Sequence, residues 1–242
     1  MWEKKSSSEV LMERTVGTLT IPYENAVANL NWIKIIGVGS CNVGKTSLIK
    51  HFCESKFTSN YQPTVGVDYG FKVENINGCD VRVNIWDFSG STDYLEVRNE
   101  LYSKTNGIFL VFDVTNATTF DSLDQWLREI TQYSSNSAQI FIVGNKVDLK
   151  HNRSVNQNNL KKLLQNYKCQ YFETSAVTGE GVNDMFKAML TTILILHLVA
   201  RLIRLLRFCA NQHIRAHVSC KCKTDFSVHY SVNTVAKNPR YR

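Results

Sequence analysis

From residue 32 onward, short apolar runs alternate with longer stretches in which apolar residues recur at helical spacing. Residues 32–38 (Trp-Ile-Lys-Ile-Ile-Gly-Val) read as a strand, as do 81–87, 107–114 and 139–144, with a shorter run at 170–173. Helical patterns cover 45–54, 94–103, 122–133 and 155–167, and another begins at 181. Ile-, Val- and Phe-rich strands alternating with helices predict an α/β domain on a mainly parallel sheet. Residues 67–76 and 81–85 flank Asn77-Gly78, a dipeptide suited to a tight hairpin turn. That pair is therefore predicted antiparallel, with one reversed strand at a sheet edge. The expected organisation is a flexible leader over 1–30, a globular domain over 31–195, and a tail over 196–242.

Composition agrees with a folded domain: 43% hydrophobic and 20% charged residues are too apolar for a disordered chain. The net charge of +7 changes meaning once it is located. Residues 195–242 hold nine basic residues against one acid, Asp225, a net of +8 that leaves −1 for residues 1–194. The globular part is nearly neutral, so no nucleic-acid partner is expected, and any anionic partner belongs to the tail. The seven cysteines are odd in number and lack zinc-ribbon spacing. The start, MWEKKSSSEV, has no apolar core after its charges, so no secretory leader is expected. Reduced thiols in a cytoplasmic protein are the reading, with the nucleus left open. With Trp2 in place of Gly, N-myristoylation is not expected.

Chemistry first enters at Gly39-Ser40-Cys41-Asn42-Val43-Gly44-Lys45-Thr46, which fits G-x-x-x-x-G-K-[ST] with a strand before it and a helix after. Backbone N–H groups of such a loop, together with the positive end of the helix, cradle phosphates. Lys45 is expected to reach the β- and γ-phosphates, and the Thr46 hydroxyl to take one position on Mg²⁺. This motif specifies a nucleoside triphosphate but not its base. The base is addressed by Asn145-Lys146-Val147-Asp148, which follows a buried strand at the edge where open α/β folds bind ligands. A carboxylate there accepts two hydrogen bonds from the guanine N1–H and exocyclic amine, which adenine does not offer. An ATP-dependent kinase is thereby disfavoured. After the last strand, Glu173-Thr174-Ser175-Ala176 brings the Ala176 N–H toward the guanine O6. Asp87-Phe88-Ser89-Gly90 supplies a carboxylate for Mg²⁺ through water and a glycine whose N–H can approach a γ-phosphate. Thr64 is the natural second hydroxyl for the ion.

Residues 32 to about 190 resemble the G domain of Ras-superfamily small GTPases, a P-loop NTPase fold, with the Rab branch similar in Pro63-Thr-Val-Gly-Val-Asp68, Ile85-Trp-Asp87 and Phe112-Asp-Val-Thr-Asn116. Val67-Asp-Tyr-Gly70, Arg82-Val-Asn-Ile85 and Glu96-Val-Arg-Asn-Glu-Leu-Tyr102 resemble the Rab-like GTPase domain of proteins that carry a J domain after it. No His-Pro-Asp triplet occurs in the sequence, so no J domain is expected here. The resemblance implies a six-stranded, mostly parallel sheet with one antiparallel edge strand and about five helices. It implies a GTP/GDP switch with Mg²⁺, acting as a monomer in intracellular signalling or membrane trafficking. Effectors, an exchange factor and a GTPase-activating protein would engage its switch regions. The implied nucleotide site comprises Gly39, Ser40, Cys41, Asn42, Val43, Gly44, Lys45, Thr46, Ser47, Phe57, Thr64, Asp87, Gly90, Asn145, Lys146, Asp148, Ser175 and Ala176. Within it Lys45, Thr64 and Gly90 serve hydrolysis, and Thr46, Thr64 and Asp87 serve the metal. Phe57 matches the aromatic that flanks the guanine, and Tyr94 the switch II tyrosine.

The departures carry expectations of their own. Ser91 stands where the family usually has Gln, and its side chain is too short to orient an attacking water in that way, so slow intrinsic hydrolysis is expected. Asp93 is an alternative source of that function. A non-cycling scaffold that holds GTP is the rival reading. Val177 replaces a lysine whose stem packs on the base, and Cys41 and Asn42 replace glycines found in Ras itself.

Met185, Phe186, Met189, Leu190, Ile193 and Leu194 recur at helical spacing and are expected to pack on the sheet. The uncharged stretch over 188–200 is 13 residues long, short of the about 20 a membrane-spanning helix needs, and Arg201, Arg204 and Arg207 follow. A basic amphipathic helix on an anionic membrane surface, then a disordered tail, is expected over 196–242. Cys209, Cys220 and Cys222 sit beside basic residues as candidates for S-palmitoylation. Standard prenylation is not expected, because 20 residues follow Cys222.

Overall fold

A computed structural model describes residues 16–20, 32–167, 169–211, 215–222 and 225–231. The chain divides into two compact units, one over Val27–Leu196 and one drawing on both ends, Met1–Ala26 with His197–Arg242. A first strand, β1 (Val16–Thr20), belongs to the second unit.

The larger unit carries β2 (Ile33–Val38), β3 (Val67–Ile76), β4 (Cys79–Phe88), β5 (Gly107–Asp113), β6 (Gln139–Asn145) and β7 (Gln170–Thr174). They form one six-stranded sheet in the order β3-β4-β2-β5-β6-β7. Only the β3–β4 pair is antiparallel, and β3 is an edge strand, as the hairpin signal predicts. Asn77 and Gly78 both take left-handed φ, 52° and 88°, the geometry of a two-residue hairpin turn that Asn and Gly tolerate. Every residue of β5 is buried, so it reads as one continuous apolar run, whereas the edge strand β3 alternates.

The helices are α1 (Lys45–Glu54), α2 (Leu95–Leu101), α3 (Ala117–Asp121), α4 (Leu123–Tyr133), α5 (Gln157–Tyr167) and α6 (Val182–Asn211). The helix expected over 94–103 is a 3-10 turn, Thr92–Tyr94, followed by α2. The helix expected over 122–133 is preceded by a short separate one, α3, whose start is capped by the Asn116 side chain. One layer of the core is sealed by Leu123, Trp126, Leu127 and Ile130 of α4. On α1 and α6, Phe52 stacks on Phe186 with ring centroids 4.1 Å apart, and Phe109 of β5 meets Phe186 edge-on at 5.3 Å. Val182, Met185, Phe186, Met189, Leu190, Ile193 and Leu194 are all buried, which makes the first half of α6 a core helix. Val182–Phe208 is long and apolar enough to cross a membrane by length and composition alone, and 24% of the qualifying window is buried within the protein.

The chain leaves β2 toward β4 and later returns to the other side of β2 as β5. The winding direction therefore reverses at β2, and the carboxyl end of that strand is the switch point where open α/β sheets hold ligands.

In the smaller unit, β1 pairs with β9 (Asp225–Ser231), which pairs with β8 (Arg215–Cys222), all antiparallel, in the order β1-β9-β8. The leader and tail, expected to be flexible or disordered, thus contribute three strands. A period-two signal was present in β9, where Phe226, Val228 and Tyr230 alternate with polar residues. The remainder of the leader and tail, and the side chains of Cys209, Cys220 and Cys222, lie outside the described residues.

Candidate functional site

A cavity of about 600 Å³ is lined by the segments that follow the carboxyl ends of β2, β4, β6 and β7, together with the loop before β3. Cys41, Asn42, Gly44, Lys45, Thr46, Ser47, Phe57, Thr64, Gly90, Asn145, Lys146, Asp148 and Ala176 line it. Gly39, Ser40, Val43, Asp87 and Ser175 are not among its lining residues, although Asp87 bonds to the Thr46 that is.

The phosphate end is built by α1. Gly44 caps that helix in a left-handed conformation with φ of 99°, no side chain caps it, and no acid occupies its first turn. Its leading N–H groups and dipole are therefore open to an anion. A Cβ on Gly44 would lie 2.2 Å from the Asn145 Nδ2, so only glycine fits there. Asn42, in place of a glycine, adopts φ of 60°, which asparagine tolerates better than most residues. The Lys45 Nζ donates to the carbonyls of Gly39 (2.6 Å) and Ser40 (2.9 Å). Burial pushes its ammonium down to about 8, against the pull of Asp87 and Cys41.

Beside it, the Thr46 hydroxyl donates to the Asp87 Oδ2 and lies 3.1 Å from the Thr64 hydroxyl, which is 3.3 Å from that same oxygen. Asp87 is 2% exposed and its Oδ1 has no hydrogen-bond partner. Burial drives the Asp87 carboxyl upward, opposed by the bonds from Thr46 and Thr64 and by Lys45. Two hydroxyls and a carboxylate with an unsatisfied buried oxygen are a hard, all-oxygen set that fits Mg²⁺. Among the described residues, no group of three or more His, Cys, Asp or Glu side chains gathers to hold a metal.

The third wall joins the loops around Thr64 and Gly90. The Ser89 N–H donates to the Gly66 carbonyl at 2.9 Å. A Cβ on Gly90 would fall 2.4 Å from the Cys41 nitrogen, a close approach that requires glycine. The Ser91 hydroxyl donates to the Asp93 Oδ2 at 2.9 Å and accepts from the Asp93 N–H at 3.2 Å, capping the 3-10 turn. Both candidates for orienting a water are thus bonded to each other. Arg98 donates from Nη1 to the carbonyls of Ser89 (3.0 Å) and Ser91, and so holds this loop from behind.

At the base end, Asn145 is 1% exposed. Its Nδ2 donates to the Val43 carbonyl at 2.8 Å, and its Oδ1 accepts from the Thr174 hydroxyl and the Ala176 N–H, both at 3.2 Å. Asn145 therefore braces the phosphate loop against the 174–176 loop. The Ala176 N–H, expected to face the guanine O6, is engaged by Asn145. Asp148 accepts from the Ser175 hydroxyl at 2.6 Å, which aims a carboxylate at the cavity. Lys146, at φ of 71°, is held by an ion pair to Asp113 at 2.7 Å. Phe57 and Val177, 41% and 51% exposed, contribute apolar surface. Sequence reading missed Asp113, which pairs with Lys146, and Arg98, which holds the Ser89–Ser91 segment, as supports of the site. The only signal for Asp113 was its place in the motif Phe112-Asp-Val-Thr-Asn116.

The Ras family model matches residues 34–195. Among curated proteins, the chain is 40% identical over 166 residues to the DnaJ homolog subfamily C member 27-A of Xenopus laevis, covering 66% of this chain and 61% of the relative. The DnaJ homolog subfamily C member 27 of Homo sapiens matches with the same identity and coverage. That of Mus musculus is 37% identical over 178 residues, with 72% of this chain and 65% of the relative covered. The chain thus spans about three fifths of the length of these relatives. An anion-ready phosphate loop at the sheet's switch point, a carboxylate aimed at the base end, and a family match across the whole domain lead to one conclusion: the chain belongs to the Ras family, whose domain is a GTP-binding switch.

Proposed function

We propose that this domain binds GTP and GDP with Mg²⁺ and hydrolyses GTP slowly, so that it dwells in the GTP-bound state. Thr46, Thr64 and Asp87 would hold the ion, whose chemistry is to neutralise charge on the β- and γ-phosphates. Lys45 exchanges its bonds to Gly39 and Ser40 for phosphate oxygens. Asp148 accepts from the guanine N1–H and amine, while Lys146 and Phe57 flank the ring. The segments around Thr64 and Gly90 order on the γ-phosphate and form the surface for effectors, an exchange factor and a GTPase-activating protein. A monomeric, cytoplasmic protein in signalling or trafficking is the setting this reading favours.

The observation that carries slow turnover is the Ser91 hydroxyl bonded to Asp93, which leaves position 91 no side chain to present to a water. The test is the nucleotide that co-purifies with the full chain, identified by ion exchange after denaturation, together with single-turnover hydrolysis. Bound GTP and a slow but Mg²⁺-dependent rate support the proposal; bound GDP with fast turnover refutes it. The same observation favours a second reading, a non-cycling GTP-bound scaffold. A hydrolysis rate no faster than that of free GTP selects that reading.

A further inference from the structure

The second half of α6 takes no part in the nucleotide site. Residues 197–208 read His-Leu-Val-Ala-Arg-Leu-Ile-Arg-Leu-Leu-Arg-Phe. At 3.6 residues per turn, Val199, Leu202, Ile203 and Leu206 share one arc of the helix, and His197, Arg201, Arg204 and Arg207 share the opposite arc. On the same wheel Phe208 falls on the basic side, and positions 198 and 205 fall between the two arcs. Val199 and Ile203 are 45% and 44% exposed, and Arg204 and Arg207 are exposed as well. No Asp or Glu occurs between Asp184 and Asp225, so the second half of this helix carries basic side chains and no acidic ones.

A hydrophobic core would bury the apolar arc but would have no use for a row of arginines beside it. A bilayer-spanning course would place three arginines within seven residues in hydrocarbon. An anionic bilayer surface accommodates both arcs at once: aliphatic side chains enter the acyl boundary, and arginines remain among anionic headgroups. We propose that the 197–208 face of α6 is a docking surface for an anionic membrane, lying in the plane of the interface.

The test is sedimentation of the full chain with vesicles of phosphatidylcholine alone or with roughly one third phosphatidylserine. Binding to the anionic vesicles is expected to exceed binding to the neutral ones and to fall with added salt. Replacing both exposed arginines (Arg204→Gln with Arg207→Gln) is expected to lower partitioning about twenty-fivefold, or about fivefold per arginine. The pair Val199→Ser with Ile203→Ser is expected to lower it about tenfold or more through lost apolar burial. Both variants keep their affinity for guanine nucleotide, which reports that the domain remains folded. Equal sedimentation with both vesicle types, sedimentation with neither, or binding indifferent to both variants overturns the proposal. Saturable binding to an acidic protein in the absence of vesicle binding also overturns it and reassigns the face to a protein partner.

Discussion

The Arg98 guanidinium lies bidentate on Glu129, with Nε 3.0 Å from Oε1 and Nη2 3.1 Å from Oε2, while its remaining nitrogen holds the Ser89 and Ser91 carbonyls. The guanidinium stacks 4.8 Å over the Trp126 ring, and the Tyr102 hydroxyl donates to the Glu129 Oε1 at 2.9 Å. Burial, then the charge of Glu129, raises the Tyr102 phenol well above its usual range, so it stays a donor. One buried cation thereby ties α2 and the loop after β4 to α4. The loop expected to sense the γ-phosphate is thus held from the core side.

Removing either partner strands the other in the core. Glu129→Ala, which leaves Arg98 at 2% exposure without its counter-ion, is expected to destabilise the domain by about 3 kcal/mol. The double variant Arg98→Met with Glu129→Leu should cost less than either single change. Chemical denaturation measures both. Hydrogen exchange at the Gly90 and Ser91 amides should accelerate in the single variants even under native conditions.

Lys45 is expected to make nucleotide binding sensitive to pH. Its ammonium is lowered by burial to about 8, below the about 10.4 of a lysine in an unfolded chain. Below pH 8 both states carry the proton, and the nucleotide-free fold bears the full penalty of a buried charge. Between about 8 and about 10.4 the folded lysine is neutral while the unfolded one is protonated, so the stability of the nucleotide-free protein rises across that window. Phosphates favour the ammonium, so binding takes up a proton above pH 8, and affinity falls by at most about tenfold per pH unit. Titration of fluorescent GDP from about pH 7 to about pH 9.5 tests this coupling. A flat profile counts against it.

Asn145 is a strut whose polar atoms face protein. Its replacement by Ala should leave the Val43 carbonyl and the Ala176 N–H unpaired and release the phosphate loop from the base loop. At about 1–3 kcal/mol for buried groups left unsatisfied, GDP release should quicken about tenfold to a hundredfold. Stopped-flow displacement reads the rate, and an unchanged off-rate would remove the strut from the account.

Ser91→Gln restores a side chain long enough to reach a water near the γ-phosphate. Single-turnover hydrolysis is expected to rise by about tenfold to a hundredfold. Ser91→Ala should leave hydrolysis where it was and cost about 1 kcal/mol through the lost cap of the Thr92–Tyr94 turn. If the two variants hydrolyse GTP at the same rate, Ser91 is not what limits turnover.

Much of the domain was legible because its signals are local. The phosphate loop occupies eight consecutive residues between a strand and a helix, and Asn77-Gly78 with its flanking strands declares a hairpin without reference to the rest of the chain. The apolar positions of α6 follow its own period, so its buried face could be read ahead of the fold. The small strands β8 and β9 were not foreseen, because a basic, largely polar segment reads as tail until its register with a partner is known.

By itself the sequence determined the order of the six strands and main helices of the larger unit, the candidate phosphate and guanine motifs, and the mismatch at Ser91, since each depends on residues adjacent in the chain. Only the tertiary structure decided what braces them. Arg98 meets Glu129 across 31 positions and Asn145 meets Val43 across 102. A lone arginine or asparagine carries no mark of such a partner. The partner is set by which helices the sheet order brings face to face, and burial then makes the bond obligatory, because an unpaired polar group there has no water to turn to.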